Sequence, residues 1–588
     1  MEYKRNDYLV SKKFYRYLIP SFLSEMAMHM GSVVDAVIVG NLIGVDALSA
    51  VTLVSPIIQV LHLPGLILGL GGATLAAIWL GERKIKDASD MFSACVIAGI
   101  IFSCAGALTA FWINAPLAHI VADDPQLVKF AEEYLFINLL GLPIMTLTFL
   151  TCEFLSVDNH PDLGAWMFSI AEAVNIVFDI VLVKFAGMGM EGAAAATILG
   201  YACGLGVLVF YARSKERMLK FNLSGVLWFK NIFTALKTGS PRVSLEVMQA
   251  LQIFVLNTAV LKILGVEAME IYAVCSNTLI MAELLAGGII SVIPNICGVL
   301  YGEKDYFGIR QLMKKVVELS GVLISVLTVV FLVFPEKIAL LFGLENEELL
   351  PTAAVCLQIY SLSFVLYVFN EFLQHYYQTI LETMLATLDT ILEFFVLLIP
   401  ITFLLMHYYG IYGVCAAVPI SELLTIIIVE GTRKFLQERG KLPQEGLLMI
   451  PKPEHDDSLD MTIEADEENA VGISEKIIDY CRARNVDEYT AYVLGLAAEE
   501  IAVNISRYGY KKTKQPYIDI NLSHDGEQWI LRIRDDGIPF DPTTYHAEEN
   551  GEFLLGGINL IRKLAKNLVY TRVLNMNNTV IEGVKGKG

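Results

Sequence analysis

The chain has 588 residues, 55% of them hydrophobic and 18% charged, with a mean hydropathy of +0.56; soluble proteins carry about 25% charged residues, so most of this chain belongs in a membrane. Its net charge of −19 and pI near 5.0 argue against nucleic acid as a partner. Nine cysteines without a C-x-x-C pair argue against a disulfide framework and against a zinc site.

The first seventeen residues carry Lys4, Arg5, Lys12, Lys13 and Arg16 with no cleavage-site pattern, which reads as a retained cytoplasmic N-terminus and not a signal peptide. Apolar runs of bilayer length follow near 18–40, 51–80, 91–113, 131–155, 164–186, 190–212, 240–264, 270–300, 316–334, 352–378, 384–407 and 411–430. Twelve transmembrane helices are therefore expected. Alternate loops concentrate Lys and Arg (Arg83, Lys84 and Lys86; Arg213 to Lys237; Lys304 to Lys315; Arg433 to Lys441), while the loops between them offer only Lys129, Lys184, Lys262 and Lys337. Basic loops stay cytoplasmic, so both ends of the membrane region are expected in the cytoplasm of a cell-membrane protein.

A constant offset of 221 residues relates Pro20, Glu25, Gly44, Gly81, Glu82, Glu172, Gly189 and Gly192 to Pro241, Glu246, Gly265, Gly302, Glu303, Glu393, Gly410 and Gly413. The pattern predicts two duplicated six-helix halves, about 10–215 and 231–435, related by an axis along the membrane normal, a transporter architecture with a central cavity. The membrane region is bounded at 1–435. Residues 436–457, polar and holding Pro443, Pro451 and Pro453, read as a linker, and 458–588 as a soluble α/β domain. In that tail, 459–465, 516–523, 528–535, 568–574 and 578–584 read as strands and 467–484, 487–508 and 556–567 as helices. The expected fold class is an all-α polytopic membrane domain followed by an α/β sandwich.

Carboxylates within a bilayer are costly and line cavities or pair. Asp35 sits within the first span; Glu172, Asn175 and Asp179 follow one helix face in the fifth; Thr197 lies in the small-residue run 192–197. The duplication supplies a control. The counterparts of Asp35, Asn175, Asp179 and Thr197 are Leu256, Val396, Pro400 and Val418, so duplicated architecture does not require this polar set, and a proton or sodium site is expected there. Glu172 and Glu393 persist in both halves, which suits a shared packing role and a functional one equally.

On Asp35, Asn175-Ile-Val-Phe-Asp179 and Gly192-Ala-Ala-Ala-Ala-Thr197, with the twelve-span duplication behind them, residues 10–435 resemble the multidrug and toxic compound extrusion (MATE) family. The resemblance implies a cation pocket at Asp35, Asn175, Asp179 and Thr197 that exchanges H⁺ or Na⁺ while two lobes rock. In the second half Glu246, Asn370 and Glu371 are candidates for a further acidic site.

The tail carries three motifs in order. Glu500 and Asn504 stand i, i+4 on one helix face, a carboxylate able to act as base beside an amide oxygen suited to Mg²⁺. Asp535-Asp-Gly-Ile-Pro-Phe-Asp-Pro542 ends a strand in a rigid turn, and Leu555-Gly-Gly-Ile558 opens a helix whose N–H groups can meet phosphate. In this order the motifs resemble the histidine-kinase-type ATPase fold, in its anti-sigma-factor serine kinase branch. That resemblance implies ATP and Mg²⁺ as cofactors, Asn504 on Mg²⁺, Glu500 as base, Asp535 on the adenine amino group, Gly537 beneath the base, Gly556 and Gly557 at the phosphates, Thr579 in the adenine-side network, and 543–555 as a short lid. The phosphate motif reads Gly556-Gly557 where the branch has Gly-x-Gly, and Tyr508 stands where related kinases often have His.

These readings predict a cation-coupled antiporter exporting small amphipathic organic compounds from a lipid bilayer, with an ATP-binding domain that regulates it or signals from it. Two alternatives stay open. One is a membrane sensor whose tail phosphorylates a serine on an anti-sigma-antagonist-type protein; the other is a flippase for a lipid-linked precursor.

Overall fold

The computed structural model describes residues 4–121, 124–222, 228–344, 346–442, 446–450, 458–510, 516–544 and 556–585. The chain divides into two compact units, one comprising Phe14–Asp305 and Leu312–Met449, the other Met1–Lys13, Tyr306–Gln311 and Ile450–Gly588.

The first unit is helical, because lipid offers backbone groups no partner and each helix satisfies its own. Among the described residues ten helices are long and apolar enough to cross a bilayer. The longest stretch, Thr383–Glu438, breaks at Gly410, whose φ of 58° and ψ of −135° no helix accommodates, so it makes two crossings. With the 35-residue helix Tyr8–Leu42 the expected twelve are present. Gly189, the counterpart of Gly410 in the first half, opens the next helix at the same φ of 58°. The duplicated glycine therefore marks the same turn twice.

Gly81 and Gly302 record the duplication as packing. A Cβ on Gly81 would lie 2.1 Å from the carbonyl oxygen of Val299, and one on Gly302 would lie 2.0 Å from that of Ile78. Ile78 and Val299 are themselves 221 residues apart, so helices Val45–Gly81 and Val292–Gly302 close on each other through a reciprocal contact that only glycine permits. A helix not foreseen from the sequence, Trp228–Thr238, packs on the first of these two: a Cβ on Gly71 would lie 2.1 Å from the Ala235 carbonyl oxygen. Between the halves, the buried Asp158 accepts hydrogen bonds from the Tyr211 hydroxyl (2.6 Å) and from the backbone N–H groups of Met218 (2.8 Å) and Leu219 (3.1 Å).

The tail is a five-stranded antiparallel sheet: β1 (Leu459–Glu464), β2 (Tyr517–His524), β3 (Trp529–Asp535), β4 (Ala565–Val573) and β5 (Met576–Val584), in the order β1-β2-β3-β5-β4. Ile463, Ile518, Ile520, Ile533 and Ile581 pack against Ile477, Leu494 and Ala498 of helices Ile473–Ala483 and Glu488–Asn504. The single helix expected over 467–484 is two, Glu467–Val471 and Ile473–Ala483, parted at Gly472. The helix expected to reach 508 leaves α geometry after Asn504 and ends in a π-helical turn, Ile505–Gly509.

Candidate functional sites

In the membrane unit a cavity of about 820 Å³ is lined by Asp35, Glu172, Asn175 and Thr197 together with Tyr134, Asn138 and Tyr201. Helix Pro161–Asp179 presents Glu172 and Asn175 to it, as the i, i+3 spacing predicts, but Asp179, expected on the same face, does not line it. The Asn175 amide donates to the Thr197 hydroxyl (3.1 Å), which donates in turn to the Ala193 carbonyl (3.3 Å), so the small-residue run brings the sixth span against the fifth. The Glu172 carboxylate lies over Gly31, where a Cβ would meet its oxygen at 1.9 Å. Asp179 is fully buried, at the end of its helix and directly before the π-helical turn Ile180–Phe185. Its carboxyl and that of Asp35 are within hydrogen-bonding reach of each other. Among the described residues no donor reaches either oxygen of Asp179 or Oδ1 of Asp35.

Tyr134, Asn138 and Tyr201 were missed by the sequence reading. A signal existed: residues 355 and 359, the counterparts of Tyr134 and Asn138, are Val355 and Ile359, so these two pass the same control that singled out Asp35.

The second half holds a different polar group. Glu393 is buried in the π-helical turn Leu392–Val396 beside Asp389 and Glu422, and the Asn370 amide donates to Glu422 Oε2 (2.5 Å) and to its carbonyl (3.2 Å). Asp389 and Glu422 were not singled out from the sequence. Of the other candidates there, Glu246 pairs with the half-buried Arg242 (2.8 Å), and Glu371 is close enough to feel the same guanidinium. The three candidates therefore belong to two separate clusters.

In the tail a pocket of about 360 Å³ is lined by Asn504, Tyr508, Asp535, Ile538, Phe540 and Thr579, among others. The Asn504 amide nitrogen donates back to the Glu500 carbonyl (2.6 Å), which leaves the amide oxygen as the donor atom a hard cation prefers. Asp535, at the end of β3, accepts at Oδ1 from the Gly537 N–H (2.7 Å) and the Asn577 amide (2.9 Å); among the described residues neither bond uses Oδ2. Burial pushes the Asp535 carboxyl up to about 6, against the pull of those two bonds. Gly557 stands at the N-terminus of helix Gly556–Leu564, where a Cβ would meet Glu500 Oε2 at 2.0 Å. The carboxylate thus already sits where a helix end favours an anion. Burial, with Glu499 adding to it, raises the Glu500 pKa. Oxygen donor, acceptor and helix end fit a magnesium-bound nucleotide. The lid expected at 543–555 lies outside the described residues beyond Thr544.

A twelve-helix duplicated membrane domain with a polar cavity, joined to a sheet-and-helix domain with a pocket of its own, defines the class. The MatE family profile matches residues 20–181 and 244–404, and a histidine kinase-like ATPase domain profile matches 463–582. The chain belongs to the MatE family and carries a histidine kinase-like ATPase domain behind its membrane region. It is similar to the multidrug export protein MepA of Staphylococcus saprophyticus (22% identical over 445 residues, 75% of this chain and 97% of that one). It is also similar to the probable multidrug resistance protein YoeA of Bacillus subtilis (20% identical, 72% of this chain and 94% of that one). Among solved structures, an outward-facing multidrug resistance MATE transporter of the MOP superfamily superposes with a TM-score of 0.67 at 19% identity, covering 74% of this chain and 98% of that one. An aspartate-to-asparagine mutant of the Vibrio cholerae MATE transporter VcmN gives 0.68 at 17%, covering 75% and 99%.

Proposed function

We propose that the chain is a cation-coupled antiporter that exports small amphipathic organic compounds, as the names of its MepA and YoeA relatives suggest. The observation that carries this reading is Asp35, which lines the cavity, beside the fully buried Asp179, with no donor among the described residues for either Asp179 oxygen or for Asp35 Oδ1. Two carboxylates so placed repel unless a proton or a cation lies between them, and a group that must bind a cation is one that can release it when the cavity changes side. Asn175 and Thr197, which line the same cavity as Asp35, hold the fifth and sixth spans together. The basic loops support N- and C-termini in the cytoplasm.

The tail binds ATP with Mg²⁺, through Asn504 for the metal, Asp535 Oδ2 for the adenine amino group, Thr579 beside it, Gly537 beneath the base, and the helix end at Gly556 and Gly557 for the phosphates. The bound nucleotide would supply the phosphoryl group, and Glu500, beside Gly557, would be the base that takes the proton of the attacking hydroxyl. Its task is regulation or signalling, because the ion gradient already supplies roughly 2.3 kcal/mol per charge per 100 mV. The Glu500–Asn504 pair also favours a second reading, serine phosphorylation of an anti-sigma-antagonist-type protein. Phosphoserine formed by the wild type and absent in Glu500→Gln would support it.

The test of the antiporter is efflux of a fluorescent organic cation from proteoliposomes under an imposed H⁺ or Na⁺ gradient without nucleotide. We expect gradient-driven transport in the wild type and a loss of about 10-fold or more in Asp35→Asn, which keeps the shape and removes the charge. Equal rates in the two proteins overturn the assignment of the site.

A further inference from the structure

The first residues of the chain belong to the same compact unit as the tail, and the basic side chains of Arg5, Lys12 and Lys13 engage it. Arg5, almost fully buried, pairs with Asp460 of β1 (3.1 Å) and Asp519 of β2 (3.3 Å) and stacks over Phe307 at 5.0 Å. The Asn6 N–H donates to the Thr462 hydroxyl (3.0 Å), which donates to Asp519 (2.7 Å). Tyr8 packs on Tyr517 with ring centroids 4.7 Å apart. Lys12 forms an ion pair with Asp536, and Lys13, 3% exposed, donates to the carbonyl of Asn575 (3.0 Å). Charge agrees with contact: residues 1–17 carry five Lys and Arg against two acids, whereas 458–588 carry 21 acids against 15 Lys and Arg.

The last two of these contacts fall beside the nucleotide pocket, on residues close in sequence to its lining residues Asp535 and Asn577. Asp536 follows Asp535 directly, and its carboxylate also accepts from the Tyr510 hydroxyl (3.1 Å). Asn575 sits in the turn between β4 and β5, two residues before Asn577, whose amide holds Asp535 Oδ1 at 2.9 Å. The arm therefore grips both segments that position Asp535. The helix that begins at Tyr8 runs unbroken to Leu42 and carries Asp35.

We propose that residues 5–13 form a strap that reads nucleotide occupancy of the tail. Docking of Lys12 and Lys13 fixes Asp536 and the β4–β5 turn, which preorganises Asp535 for the adenine amino group. By linkage, nucleotide bound at Asp535 must then tighten the strap by the same factor. The start of the helix that bears Asp35 thus answers to ATP, which gives the regulation proposed above a physical route. This inference rests on the reading of the pocket as an ATP site.

The experiment is amide hydrogen exchange and MgATP titration on the full-length protein in lipid nanodiscs. Saturating MgATP is expected to slow exchange of residues 5–13 as well as that of the pocket segments 501–509 and 535–540. Lys12→Ala is expected to weaken MgATP binding about 5-fold, the low end of typical coupling, and to abolish the response of residues 5–13. Lys12 is 43% exposed, so this change leaves the fold intact, and Lys12→Arg is expected to restore both effects. Protection of the pocket without any change at residues 5–13, with wild-type affinity in Lys12→Ala, overturns the strap and leaves the nucleotide site standing. No protection of the pocket by MgATP overturns both.

Discussion

Asp535 shows how one side chain is tuned by its surroundings. Its carboxyl is buried at the end of β3 and pushed up to about 6, while Gly537 and Asn577 supply hydrogen bonds that oppose the shift without cancelling it. The group that accepts from an adenine amino group is the ionised one, which prevails above pH 6 and is lost as pH falls through it. MgATP affinity is therefore expected to drop by up to about 10-fold between pH 7 and pH 5, following the ionised fraction. Asp535→Asn should bind weakly and flatten this part of the profile, leaving only the titration of the nucleotide itself. Calorimetric titration of both proteins across that range checks it, and an equally steep profile in Asp535→Asn would assign the dependence to another group. That Asn504 and Asp535 line one pocket was legible in the sequence, because a fixed order of short motifs reports a pocket even when each motif is commonplace; Glu500 is not among its lining residues. Asp35 and Asp179 were legible for a different reason, since a carboxylate among apolar residues is costly and stands out. Tyr201 did not, because an aromatic at helical spacing is compatible with plain core, and Tyr134 stands out only by comparison with its counterpart Val355.

At the scale of elements, the duplicated glycines were visible as a pattern, but their purpose needed coordinates. Gly81 and Gly302 lie next to Arg83 and Lys304, so their reciprocal contact closes the face that bears the basic loops. Neither carbonyl can step aside without moving its helix. An alanine at position 81 puts a methyl group 2.1 Å from the Val299 oxygen; overpacking of this kind costs about 1–3 kcal/mol, roughly 5- to 150-fold in the closed arrangement at about 1.4 kcal/mol per tenfold. Cys297, fully buried one residue before Gly298 on the helix that closes, is the reporter. Its labelling by a maleimide should rise at least 5-fold in Gly81→Ala, about as much in Gly302→Ala, and less than additively in the pair, because both act on one contact. Unchanged labelling would mean that this contact is not what closes the face. The π-helical turns after Asp179 and Asn504 were illegible, because no side-chain pattern distinguishes a turn with one extra residue from the helix it interrupts. The basic arm was legible but misassigned in part: Lys and Arg before a first span are fully accounted for by topology, which conceals that three of them also pair with the tail.

For the whole molecule, the duplication yields two halves with different interiors. Asn370, Asp389 and Glu422 of the second half have Phe149, Phe168 and Tyr201 as counterparts in the first, where Phe149 packs on Phe168 at 5.5 Å and on Tyr201 at 5.8 Å. An aromatic cluster in one half is a carboxyl-and-amide cluster in the other, each beside its own member of the Glu172 and Glu393 pair. Compared from the first half to the second, the duplication exposes Asp35 and its neighbours; compared from the second to the first, it exposes Asp389 and Glu422. None of Asn370, Asp389, Glu393 and Glu422 lines the cavity that holds Asp35, so the two polar groups can be tested separately. Glu422→Gln keeps an oxygen for the Asn370 amide and should retain gradient-driven efflux within about 3-fold of wild type, where Asp35→Asn loses it. Glu422→Leu leaves that buried amide without its side-chain acceptor, at a cost of about 1–3 kcal/mol, and should lower the melting temperature of the purified protein while Glu422→Gln changes it little. Efflux and thermal melts on the same preparations separate the two roles. Loss of transport in well-folded Glu422→Gln would show instead that the second half carries part of the coupled charge, and the reversal potential of efflux would then differ from the wild type's.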